Sequence, residues 1–203
     1  MAETSQAVAT TQAQPALRPS LAAEAWDDGP ATRRAARGRR VARDLVELSR
    51  LQRGVEAATP ETIDLSRLVR AICAYYPHVE ITGAERLQRT ADSRRLARVL
   101  TLLLDNACLH GAAPISVGYD ACQISVADAG PGFEPRLLPR ATEPFVTGSR
   151  ARGRGVGLGL AIAARQAVLL GAELRLENSI DGGAVARLCF VAQAPFAAGS
   201  AAA

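Results

Sequence analysis

The chain has 203 residues, 48% of them hydrophobic and 22% charged, which is enough for one globular domain with tails. Its net charge is +4 and every basic residue is arginine, so a Walker A phosphate loop, which needs a lysine, is excluded. Four cysteines without a CxxC pair and only two histidines disfavour a zinc site, and the absence of a long apolar run predicts a cytoplasmic protein without a membrane span.

Both ends of the chain lack a hydrophobic pattern. Residues 1–30 and 193–203 are predicted to be disordered tails. Between them, residues 31–56 are predicted as a helical segment and residues 59–192 as the main domain. An arginine cluster lies in the helical segment, at Arg33, Arg34, Arg37, Arg39 and Arg40. Because no aromatic residues are interleaved with it, nucleic-acid binding is not favoured.

The helical segment carries a regular apolar stripe. Apolar residues recur at three- to four-residue spacing, at Val41, Leu45, Leu48, Leu51 and Val55. This spacing predicts a helix over residues 32–54 that ends at Gly54. A stripe of this kind needs a surface to cover it. Either the helix packs on its own domain, or it pairs with a second copy of the chain in a dimer.

The main domain alternates helices with strands that pair as neighbours. A short strand enters a helix near residue 65, with Asp64 or Ser66 as the N-cap. Two short strands follow at 79–83 and 87–91, and a long apolar helix runs from Asp92 or Ser93 to Gly111. Strands at 114–120 and 122–130, a helix at 159–171 and a terminal hairpin complete the domain. This order predicts an α+β fold, a two-layer sandwich whose mixed, mostly antiparallel sheet is covered on one face by helices.

The stretch "SVADAGPGF" ends a predicted strand with a carboxylate. Asp128 is followed by Gly130 and Gly132. A carboxylate in this place can accept a hydrogen bond from an exocyclic amine, and glycines beside it let a flat ring approach the backbone. Alternatively, Ala-Gly-Pro-Gly is simply good turn chemistry.

The stretch "RGRGVGLGLAI" places a glycine at every second position before a helix. The glycines are Gly153, Gly155, Gly157 and Gly159. Their spacing does not fit the dinucleotide-binding pattern G-x-G-x-x-G in any register. Backbone N–H groups at a helix N-terminus, unobstructed by side chains, favour an anion such as phosphate. The other interpretation is a flexible glycine-rich loop.

Asn106 lies on an otherwise largely apolar helix, so it needs either buried partners or a ligand. Its amide oxygen suits Mg²⁺, which keeps most of its waters and bridges to phosphates. Taken alone, Asn106 is better interpreted as a core residue with satisfied hydrogen bonds. Together with Asp128 and the glycine loop, it indicates a single ligand that has a ring, phosphates and a magnesium ion.

These stretches resemble the ATP-binding catalytic domain of bacterial sensor histidine kinases, in the wider family of gyrase, Hsp90 and MutL ATPases. "LARVLTLLLDNACLHG" resembles the N box, "VADAGPGF" the G1 box, "ATEPFVTGS" the F box and "GRGVGLGLAI" the G2 box. The resemblance covers residues 59–191 and implies the Bergerat-type ATP-binding fold. The helix at 32–54 also resembles the end of the helical hairpin that dimerises and carries the phosphoacceptor histidine.

The resemblance implies roles for individual residues. Asn106 would hold Mg²⁺ and Asp128 would bind the adenine amino group, in a pocket shaped by Gly130 and Gly132. Residues 144–154 would form a lid over ATP. The remaining ATP-binding residues would be His110, Phe145, Gly155, Gly157, Leu158, Gly159 and Leu160. The implied activity is transfer of the ATP γ-phosphoryl group to a histidine, and a response regulator would then receive it indirectly.

The sequence departs from the family pattern in two ways. Leu102, Leu109 and Ala184 stand where the family usually has Asn, a basic residue and Thr. The phosphoacceptor motif is also missing, because His78 follows "YYP" and His110 belongs to the N box. The acceptor would therefore lie on another protein or domain, and the catalytic residues stay unassigned. A non-catalytic ATP-responsive interaction module and an anti-sigma-type Ser/Thr kinase remain as alternatives.

Overall fold

A computed structural model describes residues 30–54, 57–148 and 155–191. The predicted tails lie outside these residues, apart from Pro30, as does the part of the predicted lid from 149 to 154. Within these residues there are four α-helices: α1 (Pro30–Gln52), α2 (Leu65–Cys73), α3 (Ser93–His110) and α4 (Gly159–Leu169). The strands are β1 (Glu61–Asp64), β2 (Val79–Gly83), β3 (Gln88–Ala91), β4 (Ile115–Tyr119), β5 (Gln123–Asp128), β6 (Ala172–Asn178) and β7 (Ala184–Phe190).

The main sheet has five strands in the order β2-β4-β5-β7-β6, and a small sheet pairs β1 with β3. Only β2 and β4 run parallel, and the other pairs of the main sheet are antiparallel. Buried residues alternate along β4, at Ile115, Val117 and Tyr119, because successive side chains point to opposite faces. Together with its helices, this mostly antiparallel sheet confirms the predicted α+β sandwich.

Local capping chemistry decides where the helices begin. Of the two N-cap candidates for α2, Asp64 is the cap, since its carboxylate accepts from the Arg67 N–H at 3.0 Å. Asp92 caps α3 by accepting from the N–H groups of Arg94 and Arg95, both at 3.1 Å. Burial alone would raise the pKa of Asp92, but hydrogen bonds from Thr59, Arg95 and Arg94 and the charge of Arg95 hold it below its usual value.

Helix α1 packs on its own domain, as the first of the two interpretations of its apolar stripe predicts. Leu48 is 5% exposed and joins the core. Arg98 of α3 donates to Asp44 at 2.8 Å and to Glu47 at 2.7 Å. Leu45 and Val46 remain 40% and 52% exposed, and the dimer stays a prediction. None of the four described helices combines the length and the apolar character that a membrane span requires.

Charge pairing reinforces this docking. Burial would lower the pKa of the Arg98 guanidinium, but its hydrogen bonds to Glu47 and the charges of Glu47 and Asp44 raise it instead. Glu47 also accepts from the Gln166 amide at 2.9 Å, and Gln166 in turn accepts from Arg95 at 2.8 Å. The network therefore connects α1 to both α3 and α4.

We expect Arg98→Ala to lower the free energy that holds α1 on the domain by about 2 kcal/mol, because Asp44 and Glu47 lose their shared partner in a poorly solvated place. Amide hydrogen exchange in α1 should then accelerate about 30-fold if opening of this helix is a local event. Arg43→Ala is the matched control, since Arg43 is exposed on the same helix. An unchanged rate of amide hydrogen exchange in the Arg98 variant would show that these ion pairs do not keep α1 packed on the domain.

Candidate functional site

One cavity of about 820 Å³ gathers most of the predicted site residues. It lies where α1, α3, the end of β5 and the start of α4 meet. The predicted residues that line it are Asn106, His110, Asp128, Gly132, Gly155, Gly157, Leu158, Gly159 and Leu160. The other two predicted residues, Gly130 and Phe145, are not part of this lining. The three motifs, distant in sequence, therefore meet in one place.

Asp128 sits at the last position of β5, in a cradle of glycines. It pairs across the sheet with Ile115, and its Oδ1 accepts from the Gly130 N–H at 2.8 Å. A Cβ on Gly111 would collide with the Asp128 carboxylate, and one on Gly130 would lie 2.6 Å from the Gly111 Cα. Only residues without side chains fit this close approach. Among the described residues, the hydrogen bond to the Asp128 carboxylate is the one from Gly130 to Oδ1.

Two residues near Asp128 were not identified from the sequence as parts of the site. Gly183 lies in the connection between β6 and β7, where a Cβ would clash with the Asp128 carbonyl. Asn178 at the end of β6 accepts from the Phe133 N–H at 2.7 Å and donates to the Phe133 carbonyl at 2.9 Å. Asn178 therefore fixes the loop that follows Asp128. The sequence signal available was an asparagine directly before a predicted turn, which is too common to be specific.

Helix α3 presents Asn106 and His110 to the cavity, one helical turn apart. The glycine loop lies against this helix. A Cβ on Gly155 would be 3.4 Å from the His110 Nε2, and one on Gly159 would be 3.8 Å from Leu102. Leu102, Leu109 and Ala184, the three departures from the family pattern, also line the cavity. The wall is therefore more apolar where the family pattern is polar.

The described part of the predicted lid, residues 144–148, contacts the glycine loop through its backbone. The Phe145 N–H donates to the Gly157 carbonyl at 2.9 Å. Phe145 is 59% exposed, and this hydrogen bond to the loop comes from its backbone. Gly157 has a φ of +72°, and a Cβ on it would lie 2.5 Å from the Val146 carbonyl oxygen.

We expect Gly157→Ala to weaken binding of the predicted ATP ligand about tenfold, because a side chain costs roughly 1–2 kcal/mol in the left-handed region and here also meets Val146. Gly171→Ala is the matched control, since Gly171 also has a left-handed φ, of +65°, but is not among the residues that line the cavity. Its affinity should stay within about twofold of the parent. Isothermal titration calorimetry with ATP measures both. Equal affinities for the two variants would contradict this role for Gly157.

Helix α1 forms a wall of the same cavity, which the sequence did not predict. Arg37, Arg40, Val41 and Asp44 all line it. Arg40 Nη2 lies 2.9 Å from Asp105 Oδ2, and the Tyr76 hydroxyl donates to Asp105 Oδ1 at 2.8 Å. Burial and then the charge of Asp105 raise the Tyr76 pKa far above its usual value, so Tyr76 stays a donor. The helical periodicity indicated an apolar stripe but gave no sign of this polar contact.

Comparison with known proteins places this geometry in a family. The sequence profile described as histidine kinase-, DNA gyrase B- and HSP90-like ATPase matches residues 91–194. The chain belongs to this ATPase family. The matched residues include the Asp128 loop, Asn106 and the glycine loop, and they confirm the resemblance that the motifs indicated.

Named relatives of this ATPase domain are sensor kinases. The chain is 42% identical over 152 residues to the sensor protein CseC of Streptomyces coelicolor, covering 74% of the chain and 30% of CseC. It is 32% identical over 151 residues to the signal transduction histidine-protein kinase AfsQ2 of the same organism, covering 70% and 28%. The chain therefore spans less than a third of the length of these relatives.

Solved structures share the fold. ShkA, solved at full length in complex with AMPPNP, superposes with a TM-score of 0.66 at 24% identity, over 80% of this chain and 38% of ShkA. The mycobacterial sensor histidine kinase MprB gives 0.55 at 23% identity, over 65% of this chain and 97% of that one. At these identities the likeness supports the architecture described above.

Proposed function

We propose that this chain binds Mg-ATP and transfers the γ-phosphoryl group to a histidine that lies on another protein or domain. The observation that carries the proposal is the single cavity in which Asp128, Asn106 and the glycine loop meet. Phosphoryl transfer to histidine is supported by the names of two relatives, a sensor protein and a signal transduction histidine-protein kinase. A cytoplasmic location and a response regulator downstream belong to the same proposal.

Each end of the cavity suits one part of the nucleotide. At the Asp128 end, the carboxylate accepts a hydrogen bond from the adenine amino group, and the bare backbone of Gly111 and Gly130 leaves room for the ring. At the other end, α4 begins at Gly159 with its first N–H groups not used inside the helix. These groups and the helix dipole bind the phosphates.

The residues present also fit a magnesium ion. No three His, Cys, Asp or Glu side chains of the described residues form a metal cluster, so a tight all-protein cage is not offered. Mg²⁺ commonly takes one or two protein oxygens together with waters and phosphates, and Asn106 supplies such an oxygen in the cavity. Bound there, Mg²⁺ would neutralise charge on the transferring phosphoryl group. The protein's part is to hold the nucleotide in line with the incoming imidazole.

Neither histidine of the chain is placed to act as the acceptor. His78 is exposed, in the connection between α2 and β2, with a φ of +62°. His110 lies in the wall of the cavity, close to Gly155. This placement supports a phosphoacceptor on another protein or domain, because an acceptor imidazole must reach the γ-phosphate from outside the nucleotide site.

Incubation with γ-labelled ATP and Mg²⁺ tests the proposal. The chain should transfer label to an added protein that carries a helical hairpin with an exposed histidine, and the label should be acid-labile and base-stable. Asp128→Asn should abolish the transfer. Acid-stable label would indicate a Ser/Thr kinase instead. Absence of ATP binding by the parent chain would overturn the assignment.

A second candidate is a non-catalytic ATP-responsive interaction module. Leu102, Leu109 and Ala184 favour it, because apolar side chains in the cavity wall weaken the binding of phosphate and metal. ATP binding without transfer to any histidine-bearing partner would support this candidate over the first.

We expect Leu109→Arg to raise ATP affinity about three- to tenfold, since it restores a cation that can make a charge-assisted hydrogen bond to phosphate. Leu109→Met is the control of similar size and should change affinity by less than about twofold. Calorimetric titration with ATP at two salt concentrations measures the effect. An affinity that does not rise would place the phosphates away from this part of α3.

A further inference from the structure

We propose that Arg37 and Arg40 of α1 bind the polyphosphate of the nucleotide and so replace the basic residue missing at position 109. This inference rests on the proposed function, because it assigns two further residues to the same site. It goes beyond the family motifs, since α1 precedes all of them in the sequence.

The charged side chains that line the cavity favour a phosphate-binding role for α1. In the part of the chain that the structure describes, the arginines lining the cavity are Arg37 and Arg40, both from α1. The carboxylates lining it are Asp44, Asp105, Asp128 and Glu134. Without α1, the described wall would present carboxylates and no guanidinium to a ligand with several negative charges. Coulomb repulsion would then oppose phosphate binding.

The position of Arg40 also favours phosphate binding. Its Nη2 donates to Asp105 Oδ2 at 2.9 Å, and the Asp105 side chain is 3% exposed. Asp105 directly precedes Asn106, the predicted magnesium ligand. Tyr76 holds the other oxygen of Asp105 at 2.8 Å, so the carboxylate is fixed from both sides. It therefore holds the Arg40 guanidinium against α3, in the cavity that Asn106 also lines.

A guanidinium carries several N–H donors in a rigid fork, so it can bind one carboxylate and still donate to phosphate. The Arg40 side chain is 25% exposed, which leaves part of it accessible from the cavity. Because Asp105 already holds it in place, little side-chain entropy is lost when the anion binds. The network of Arg98, Asp44 and Glu47 fixes α1 in the same way.

A purely structural role is the competing explanation, in which Arg40 only joins α1 to α3. The two explanations differ in what they predict for ligands with and without phosphate. A structural role predicts equal losses for ATP and adenosine, because the whole cavity would be disturbed. A phosphate-binding role predicts a loss for ATP and ADP alone.

Calorimetric titration of the full chain with ATP, ADP and adenosine in Mg²⁺ buffer distinguishes the structural role from the phosphate-binding role. The variant is R37Q/R40Q, and the matched control is R39Q/R43Q, which removes the same charge from exposed positions of the same helix. We expect R37Q/R40Q to weaken ATP about tenfold or more and adenosine by less than about twofold. The control should bind ATP within about twofold of the parent.

Single variants keep the test valid if the double variant does not fold. R40K retains the charge and should bind ATP within about threefold of the parent, whereas R40Q should lose more. Parent-like ATP affinity in R37Q/R40Q would overturn this inference and leave the proposed function intact, as would equal losses for ATP and adenosine. A parent chain that binds no ATP would overturn both.

Discussion

Replacing Asp128 by asparagine should lower ATP affinity by at least about tenfold while the chain stays folded. In the structure, Oδ1 of Asp128 accepts from the Gly130 N–H at 2.8 Å, and the proposal assigns the other oxygen to the adenine amino group. An asparagine has one oxygen and one NH₂. Whichever way the amide turns, one donor faces another donor, and that mismatch costs about 1–3 kcal/mol.

A comparison of two nucleotides tests adenine recognition more specifically than a loss of ATP affinity alone. The parent should prefer ATP about tenfold over purine riboside triphosphate, which lacks the amino group, and Asp128→Asn should remove that preference. Asp120→Asn is the control, because Asp120 is an exposed carboxylate at the far end of the same hairpin and also accepts backbone N–H bonds. Preference for ATP that persists in the Asp128 variant would contradict adenine recognition by this carboxylate.

Replacing Asn106 by alanine should remove the effect of magnesium on nucleotide binding. The parent should bind ATP about tenfold more tightly with Mg²⁺ than in chelator, and Asn106→Ala should bind equally in both conditions. Phosphoryl transfer should fall about a hundredfold, because charge on the transferring group would be poorly neutralised. Affinity for adenosine should not change, since Asn106 has no role at the adenine end.

A matched variant on the same helix controls for damage to α3. Cys108 is exposed two residues after Asn106, so Cys108→Ala should leave both the magnesium effect and the transfer rate within about twofold of the parent. Titration of each variant with ATP, with and without Mg²⁺, gives the comparison. A persistent magnesium effect in Asn106→Ala would place the metal on other groups.

Local features of this fold followed from the sequence because local interactions determine them. Asp64 and Asp92 cap their helices through N–H groups two or three residues away, and such short-range contacts leave a recognisable residue pattern. The β4–β5 hairpin likewise follows from two alternating runs around a tight turn. The choice between Asp64 and Ser66 needed the structure, in which the Ser66 hydroxyl instead donates to the Ala84 carbonyl at 3.0 Å.

The cavity was only partly predictable, because its walls meet through long-range contacts. The motifs identified Asp128, Asn106 and the glycine loop, but nothing in their spacing placed α1 beside them. Arg40 and Asp105 are 65 residues apart, and Asn178 meets Phe133 across 45 residues. Phe145 lies in the predicted lid, and neither its exposed side chain nor its backbone contact with Gly157 was predictable from the motif.

A crystal structure of the chain grown with Mg²⁺ and AMPPNP tests the central claim most directly. We expect the adenine amino group within hydrogen-bond distance of Asp128, the metal on Asn106, and the phosphates between the start of α4 and the arginines of α1. A nucleotide bound outside this cavity, or an adenine ring away from Asp128, would contradict it.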